Sequence, residues 1–201
     1  MKLLHKLDEN GVISLFLLSE FKSSRFGSDL LRVLKTLGFS KDIILKPDLE
    51  NTAENACRRD IIGEYRGYGR NTGLFTNFPK NVEWYEAFIT RKELSKVRYI
   101  NWYYWLGITG GSRLPCDVRL NVSNDVISSA DIKLFYAVLA DIEASGFFPK
   151  LIFVTTGSPK DLVVLEGHLR VTASFLKPKI IPNKVNAIVG ISKEFTLWGF
   201  Y

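Results

Sequence analysis

The sequence has few residues of the kinds that bind metal ions or form disulfide bonds. Its 201 residues include two cysteines, Cys57 and Cys116, and two histidines, His5 and His168. The cysteines lie far apart and lack the paired spacing of a structural zinc site. We therefore expect no structural zinc, and we expect both cysteines to be free thiols.

Long apolar segments are also missing. The longest apolar run near the start, residues 12–18, is interrupted by Ser14 and followed by Glu20, whereas a membrane-spanning helix needs about 20 apolar residues. Charged residues such as Lys6 and Glu9 break the region in which the apolar part of a secretory signal would lie. We predict a cytoplasmic protein with no membrane partner.

The composition is that of a globular protein, with 46% hydrophobic and 24% charged residues. This length suffices for one sizeable domain or two small ones. A formal net charge of +6 makes acidic partners plausible, including nucleotides and nucleic acid. The basic residues are scattered in pairs such as Arg58-Arg59, without the dense run that marks a nucleic-acid-binding tail.

Helical periodicity dominates the first part of the chain. Apolar residues recur at three- and four-residue spacing through residues 11–38, which predicts two helices ended by Gly38. Residues 42–45 resemble a short strand. Residues 48–62 then predict a helix with a polar outer face that includes Arg58.

Residues 63–79 form a glycine-rich segment that also holds aromatic and basic side chains. Arg66 and Arg70 are candidates for binding phosphate, and Tyr65 or Tyr68 could stack on a nucleobase. The segment fits neither the Walker nor the dinucleotide-binding fingerprint. An aromatic-packed connector is an equally good interpretation.

The middle of the chain is rich in aromatic residues. Three of the four tryptophans, Trp84, Trp102 and Trp105, lie within residues 80–108, and we expect this segment to pack the two halves of the protein together. Residues 109–113 form a donor-rich turn that either approaches an anion or simply leads into a strand predicted over residues 117–122.

The last third predicts further regular elements. An apolar stripe predicts a helix over residues 131–146, capped by Ser129, followed by a strand over residues 147–154 and another over 184–191. The C-terminal tail, residues 195–201, is too apolar for water. It should return to the core or bury itself in a partner subunit, so a homo-oligomer formed through the tail is one alternative.

The most informative stretch predicts a strand, a glycine turn and a helix. Residues 162–165 form a short apolar run typical of a buried strand. Glu166 and Gly167 end that run, and a helix with one apolar face starts at His168. The first N–H groups of a helix are unpaired and attract anions, and Arg170 lies in the first turn. The sequence therefore indicates either a phosphate site or an ordinary turn with a solvated arginine.

The segment Gly167-His168-Leu169-Arg170 resembles the Gly-x-x-Arg signature of the ParB/sulfiredoxin-like superfamily. The similarity extends over about residues 117–192 and includes the helix, the Gly and Pro residues and the apolar strand before the motif. Sulfiredoxins carry a reactive Cys where this chain has His168, and chromosome-partition ParB proteins usually have Glu-Arg-Arg after the Gly. The form Glu-Gly-His-x-Arg is more similar to the nucleotide-using, kinase-like branch.

The resemblance implies an α+β fold in two parts: a mainly helical N-terminal region, residues 1–95, and a ParB/sulfiredoxin-like mixed-sheet domain, residues 96–201. It also implies nucleotide binding, with Mg²⁺-dependent hydrolysis or phosphoryl transfer from ATP, CTP or another nucleoside triphosphate. The nucleotide-binding residues would be Gly167, His168, Leu169 and Arg170, joined by Arg66 and Arg70. Glu166 and His168 would be catalytic, and Glu166 would bind the metal. The alternatives are a DNA- or RNA-associated binding module without catalytic activity and a nuclease-type relative.

Overall fold

The fold is α+β and is built on a mixed β-sheet, as a computed structural model shows for residues 1–123, 127–146, 148 and 150–201. Five strands in these residues form the sheet. They are β1 (Lys2–Leu7), β2 (Glu83–Thr90), β3 (Leu151–Thr155), β4 (Val163–Glu166) and β5 (Lys184–Ile191).

Helices precede, interrupt and follow these strands. The α-helices of the described residues are α1 (Glu9–Phe21), α2 (Gly27–Leu37), α3 (Asp42–Leu45), α4 (Thr52–Arg66), α5 (Arg91–Leu94), α6 (Tyr103–Ile108), α7 (Pro115–Ser123), α8 (Ser129–Ser145) and α9 (His168–Leu176). Short 3-10 helices cover Gly73–Phe75, Pro178–Ile180 and Lys193–Leu197. No helix among the described residues is both long enough and apolar enough to cross a membrane.

The sheet has the strand order β1-β2-β5-β3-β4. The pairs β1–β2, β2–β5 and β3–β4 are antiparallel, whereas β3 and β5 are parallel. A parallel pair needs a crossover connection, and here the chain passes through β4 and α9 between β3 and β5. The turn from β4 to α9 therefore belongs to this crossover.

Burial falls across the sheet from β3 and β4 toward β1. Every residue of β3 and β4 is buried, as expected for strands covered on both faces. By contrast, β1 is exposed over most of its length. On β5, Gly190 lies opposite Trp84, and a Cβ atom there would come within 2.6 Å of the Trp84 ring. A residue without a side chain is thus required at position 190 for the Trp84 ring to lie over β5.

The two regions predicted from the sequence share one sheet and one core. Strands β1 and β2 precede residue 96, and β3, β4 and β5 follow it. One cluster of buried side chains includes Leu17 and Ile61 from the first region and Val164 and Val189 from the second. The boundary predicted at residues 95/96 thus falls between elements that pack together.

Several predicted elements are confirmed. The helices expected over residues 11–38 are α1 and α2, and Gly38 ends α2 in the left-handed conformation. The elements expected around the glycine motif are α8, β3, β4, α9 and β5, although Ser128 caps α8 in place of Ser129. Phe147 and Pro149, which the prediction placed at the start of the strand before the motif, lie outside the described residues.

Two predicted strands are wrong. Residues 42–45 form the helix α3, closed by a hydrogen bond from the N–H of Lys46 to the carbonyl of Asp42. Residues 117–122 lie in α7, which begins at Pro115, a residue favoured in the first turn of a helix because its ring presets φ. Residues 42–45 contain a short apolar run, whose periodicity does not separate strand from helix, whereas residues 117–122 alternate polar and apolar residues as a strand does and nevertheless form a helix.

The helix predicted over residues 48–62 is α4, which starts later and continues to Arg66. Its polar face is not all exposed, because Arg58 is almost fully buried. The Arg58 guanidinium donates to the carbonyls of Ile43 and Asp48 at 3.2 and 2.7 Å. This arginine fastens the segment before α4 onto the helix.

Strands β1 and β2 were not predicted from the sequence. In β2, Trp84, Ala87 and Ile89 are buried. The high aromatic content of this segment was interpreted as core packing, and the strand pattern was therefore missed.

The C-terminal tail returns to the core of its own chain, as one alternative of the prediction states. Phe195 and Trp198 are buried, and the Trp198 indole donates to the carbonyl of Leu74 at 2.9 Å. The Tyr201 hydroxyl donates to the carbonyl of Asp161 at 2.7 Å. A homo-oligomer through this tail stays a prediction, but burial of the tail within one chain removes the reason for it.

Candidate functional site

The turn between β4 and α9 has the predicted strand–glycine–helix geometry. Gly167 adopts φ 101°, a left-handed conformation that glycine tolerates best. A Cβ atom at Gly167 would lie 2.5 Å from Cδ2 of Leu151. No side chain caps the N-terminus of α9, so the first N–H groups of this helix have no side-chain acceptor.

A cavity of about 790 Å³ opens beside this turn. Its walls come from the end of α1, the α1–α2 loop, the end of α4, the segment leading into α6, one face of α8 and the start of α9. Five motif residues, Glu166 to Arg170, and Arg66 all line it. The cavity thus lies between the two regions predicted from the sequence.

Arg170 is held inside the protein by three partners. Its Nη2 atom forms an ion pair with Glu166 and donates to Oγ of Ser19 at 2.6 Å, while Nη1 donates to the carbonyl of Lys150 at 3.2 Å. The Glu166 and Arg170 side chains are both largely buried. The predicted phosphate-binding fork of Arg170 is therefore already used within the chain.

Glu166 lies in an environment that disfavours its charge. Burial raises the pKa of this carboxyl group, and the nearby Glu20 carboxylate raises it further, whereas Arg170 and a hydrogen bond from Ser19 oppose the shift. The carboxylate is engaged by Arg170, and the described residues contain no cluster of three His, Cys, Asp or Glu side chains that could hold a metal ion. Glu166, the predicted magnesium ligand, is thus already paired with Arg170, and magnesium binding stays a prediction.

Arg66 borders the cavity, but its charge is balanced by Glu20. The Arg66 Nε atom lies 3.1 Å from Oε2 of Glu20, and the Tyr65 hydroxyl donates to the same oxygen at 2.6 Å. The Arg66 guanidinium also lies 4.3 Å from the centre of the Phe26 ring, as in a cation–π contact. Burial raises the pKa of Tyr65, which stays neutral.

Arg70 does not reach the cavity, so the structure does not support its predicted role. Its guanidinium pairs with the exposed carboxylate of Glu64. The Tyr68 hydroxyl bonds to Glu9, and the Tyr68 ring packs edge-on against Phe75. Most of the glycine-rich segment is thus a packed connector, and Arg66, Gly73 and Leu74 are its residues at the cavity wall.

His168 belongs to a cluster of three nearly parallel rings, in which its ring centre lies 5.9 Å from that of Tyr99. Its ring centre lies 5.0 Å from Trp105, which in turn lies 4.4 Å from Tyr99. Its Nε2 atom is buried and has no hydrogen-bond partner in the described part of the chain. Burial lowers the pKa of His168 to about 3, and the charges of Arg25, Arg66 and Arg170 act in the same direction.

This environment contradicts the sequence expectation for His168. A catalytic histidine that transfers protons at neutral pH needs a pKa near the ordinary value of about 6.5. A pKa of about 3 leaves the ring neutral at pH 7, so the resting state of His168 is a weak base and not an acid. The ring acts as part of the aromatic wall.

Two cations that the sequence analysis did not select also line the cavity. Lys22 and Arg25 lie in the α1–α2 loop and are exposed, and neither forms an ion pair with any described residue. The Arg25 guanidinium lies 4.9 Å from the Phe26 ring centre and 5.6 Å from that of Tyr104. A polar, basic loop between two predicted helices is the signal that could have identified these residues.

The donor-rich turn of residues 109–113 has a structural role. Arg113 donates to the carbonyls of Tyr99 and Tyr201, both at 2.7 Å. Burial lowers the pKa of Arg113 to about 10. Its guanidinium holds the C-terminal residue against the chain, so this turn is not the predicted anion site.

No protein-family model, curated protein or solved structure matches this chain. The ParB/sulfiredoxin-like resemblance accordingly stays a prediction. The assignment of a site depends on the geometry of the cavity and on the charges and rings that line it.

Proposed function

We propose that the chain binds a nucleotide in the cavity beside the β4–α9 turn. The cavity volume of about 790 Å³ falls within the range of small-molecule sites, roughly 300–1,000 Å³. Its lining combines aromatic rings with a few charged groups, as such sites usually do. The glycine turn and the start of α9 form one wall.

The phosphate end of the ligand is assigned to the α1–α2 loop and the start of α9. The observation that carries the proposal is Arg25, a guanidinium that lines the cavity without a carboxylate partner among the described residues. Lys22 adds a second unpaired charge. The uncapped N–H groups at His168 and Leu169 offer donors to the same anion, supported by the helix dipole.

The base end of the ligand is assigned to the aromatic wall. Phe26 and Trp105 both line the cavity, and neutral rings of this kind stack on nucleobases. His168 extends the wall without bringing a charge, because its pKa is far below neutral pH. We thus assign His168 a packing role toward the ligand, with no proton transfer.

Catalysis is a separate and second proposal. Hydrolysis or phosphoryl transfer requires groups that position a nucleophile and stabilise charge. Glu166 is paired with Arg170, and the lowered pKa of His168 makes its ring a weak base at neutral pH. Binding is the function that this geometry supports best, and we derive no step through magnesium.

Calorimetric titration of the full chain with nucleoside mono-, di- and triphosphates, with and without Mg²⁺, tests the proposal. Arg25→Ala should weaken binding by about tenfold to a hundredfold, the usual scale for a hydrogen bond assisted by a charge. Arg32→Ala is the matched control, because Arg32 is an exposed arginine that pairs with Asp29 outside the cavity. Equal affinities for these two variants, or no nucleotide binding at all, would contradict the proposal.

A further inference from the structure

Two large aromatic side chains at the cavity are exposed to solvent. Tyr103 is 75% exposed and Trp102 is 43% exposed, whereas Trp84, Trp105 and Trp198 are at most 5% exposed. Both exposed rings line the cavity. Tyr99 and Trp105, from the same aromatic segment, are buried against each other and against His168, whereas Trp102 and Tyr103 take no part in that contact.

The exposed Trp102 ring packs against two neighbouring rings. The Trp102 ring centre lies 5.0 Å from Tyr103 and 5.5 Å from Phe200. Trp102 and Tyr103, which we call the aromatic platform, stand at the start of α6. Rings held in this way lose little conformational freedom when a flat ligand stacks on them.

The unpaired cations, Lys22 and Arg25, line the same cavity as the aromatic platform. Arg25 approaches the ring of Tyr104, the neighbour of Tyr103, at 5.6 Å. Exposed aromatic rings beside unpaired cations are the two components that single-stranded nucleic acid requires, because bases stack and phosphates attract positive charge.

From this juxtaposition we infer that the site takes the end of a single-stranded nucleic acid. The terminal nucleotide enters the cavity, and the adjoining base stacks on Trp102 and Tyr103. A free mononucleotide whose base lies against Phe26 and Trp105 would leave Trp102 and Tyr103 without a base to stack on. This inference rests on the proposed function, and it extends the ligand from a nucleotide to a short strand.

The test compares a mononucleotide with oligothymidylates of about three and six nucleotides, by calorimetry on the full chain. An oligonucleotide should bind about five- to a hundredfold more tightly than the mononucleotide, the scale of stacking one or more bases on an aromatic ring. Trp102→Ala and Tyr103→Ala should lower oligonucleotide affinity more than mononucleotide affinity. Tyr136→Ala is the matched control, because Tyr136 is 52% exposed on α8 and does not line the cavity.

Tryptophan fluorescence provides a second readout. Trp102 is the one exposed tryptophan of the four, so stacking should quench its emission in the parent and not in Trp102→Phe. An oligonucleotide that binds no better than the mononucleotide overturns the inference and leaves the proposed function standing. The inference is also overturned if the oligonucleotide binds more tightly than the mononucleotide but its affinity is the same for the parent, Trp102→Ala and Tyr103→Ala.

The remaining outcomes separate the two proposals. Platform-dependent oligonucleotide binding without any mononucleotide binding contradicts the cavity assignment but supports the platform. Absence of binding by both ligands contradicts both proposals. A duplex of the same sequence should bind more weakly than the single strand, because its bases are already stacked; preference for the duplex would overturn the inference.

Discussion

The role of the motif arginine leads to the sharpest prediction. Arg170 forms a largely buried ion pair with Glu166 and also contacts Ser19 and the carbonyl of Lys150. Arg170→Ala removes one partner of a buried pair, which typically costs about 3–5 kcal/mol. In a chain of this size each kcal/mol lowers the melting temperature by about 2–4 °C. We expect a decrease of about 6–20 °C.

The pH dependence of this loss identifies its cause. Without Arg170, Glu166 loses the charge that opposes the upward shift of its pKa. A carboxyl group with a raised folded-state pKa binds more protons in the folded state, so stability falls as pH rises above the ordinary value of about 4.5. The deficit of Arg170→Ala should be larger at about pH 8 than at about pH 5.

The assay is thermal and urea unfolding of the parent and variants, followed by circular dichroism. Glu166→Gln should cost less than Arg170→Ala, because it removes a charge that burial disfavours. The double variant should recover part of the loss. Lys177→Ala is the control, since Lys177 pairs with Glu143 in the open and such pairs contribute about 0–1 kcal/mol. Equal losses for Arg170→Ala and Lys177→Ala would refute the reasoning.

Three further predictions concern the same region. Gly167→Ala should lower the free energy of unfolding by about 1–3 kcal/mol, because residue 167 has a φ of 101° and the new Cβ atom would clash with Leu151. An unchanged midpoint of urea unfolding would contradict this prediction. His168→Phe should make stability less dependent on pH between about pH 6.5 and pH 3. In the parent, the unfolded chain binds a proton at this histidine in that range and the folded state does not, so the stability of the parent decreases as the pH is lowered. Parallel profiles of melting temperature against pH for parent and variant would contradict this prediction. A fragment of residues 96–201 lacks β1 and β2 and should aggregate, because β5 loses its partner along one edge; a soluble fragment with cooperative melting would show otherwise.

The local structure around the motif was predictable because it depends on short-range signals. An apolar run, a glycine and an apolar helical face specify β4, Gly167 and α9 within about fifteen residues. The same reasoning failed at residues 42–45, where a short apolar run fits either a strand or a helix, and at residues 117–122, where polar and apolar residues alternate as in a strand. In those segments the choice between strand and helix depends on tertiary packing. Ile44 and Val118 are both buried, and the residues that cover them come from distant parts of the chain.

The roles of the charged residues were harder to predict than the elements that carry them. The sequence shows Arg170 in the first turn of a helix, a position equally suited to a phosphate and to an internal carboxylate. The partners that use its guanidinium include Ser19, which lies 151 positions earlier in the chain. Arg25 shows the converse: its polar, basic loop is visible in the sequence, but the position of that loop beside α9 depends on the folded chain.

Arg170 and Arg25 therefore offer two separable effects at one site. Arg170 links the start of α9 to α1 through Ser19 and to the segment before β3 through the carbonyl of Lys150. Removing it should loosen a wall of the cavity and lower both stability and affinity. Arg25 has no such internal partner among the described residues, so removing it should lower affinity while the melting temperature stays unchanged. If Arg25→Ala unfolds the protein as readily as Arg170→Ala, its charge stabilises the fold and the proposed phosphate contact loses its main support.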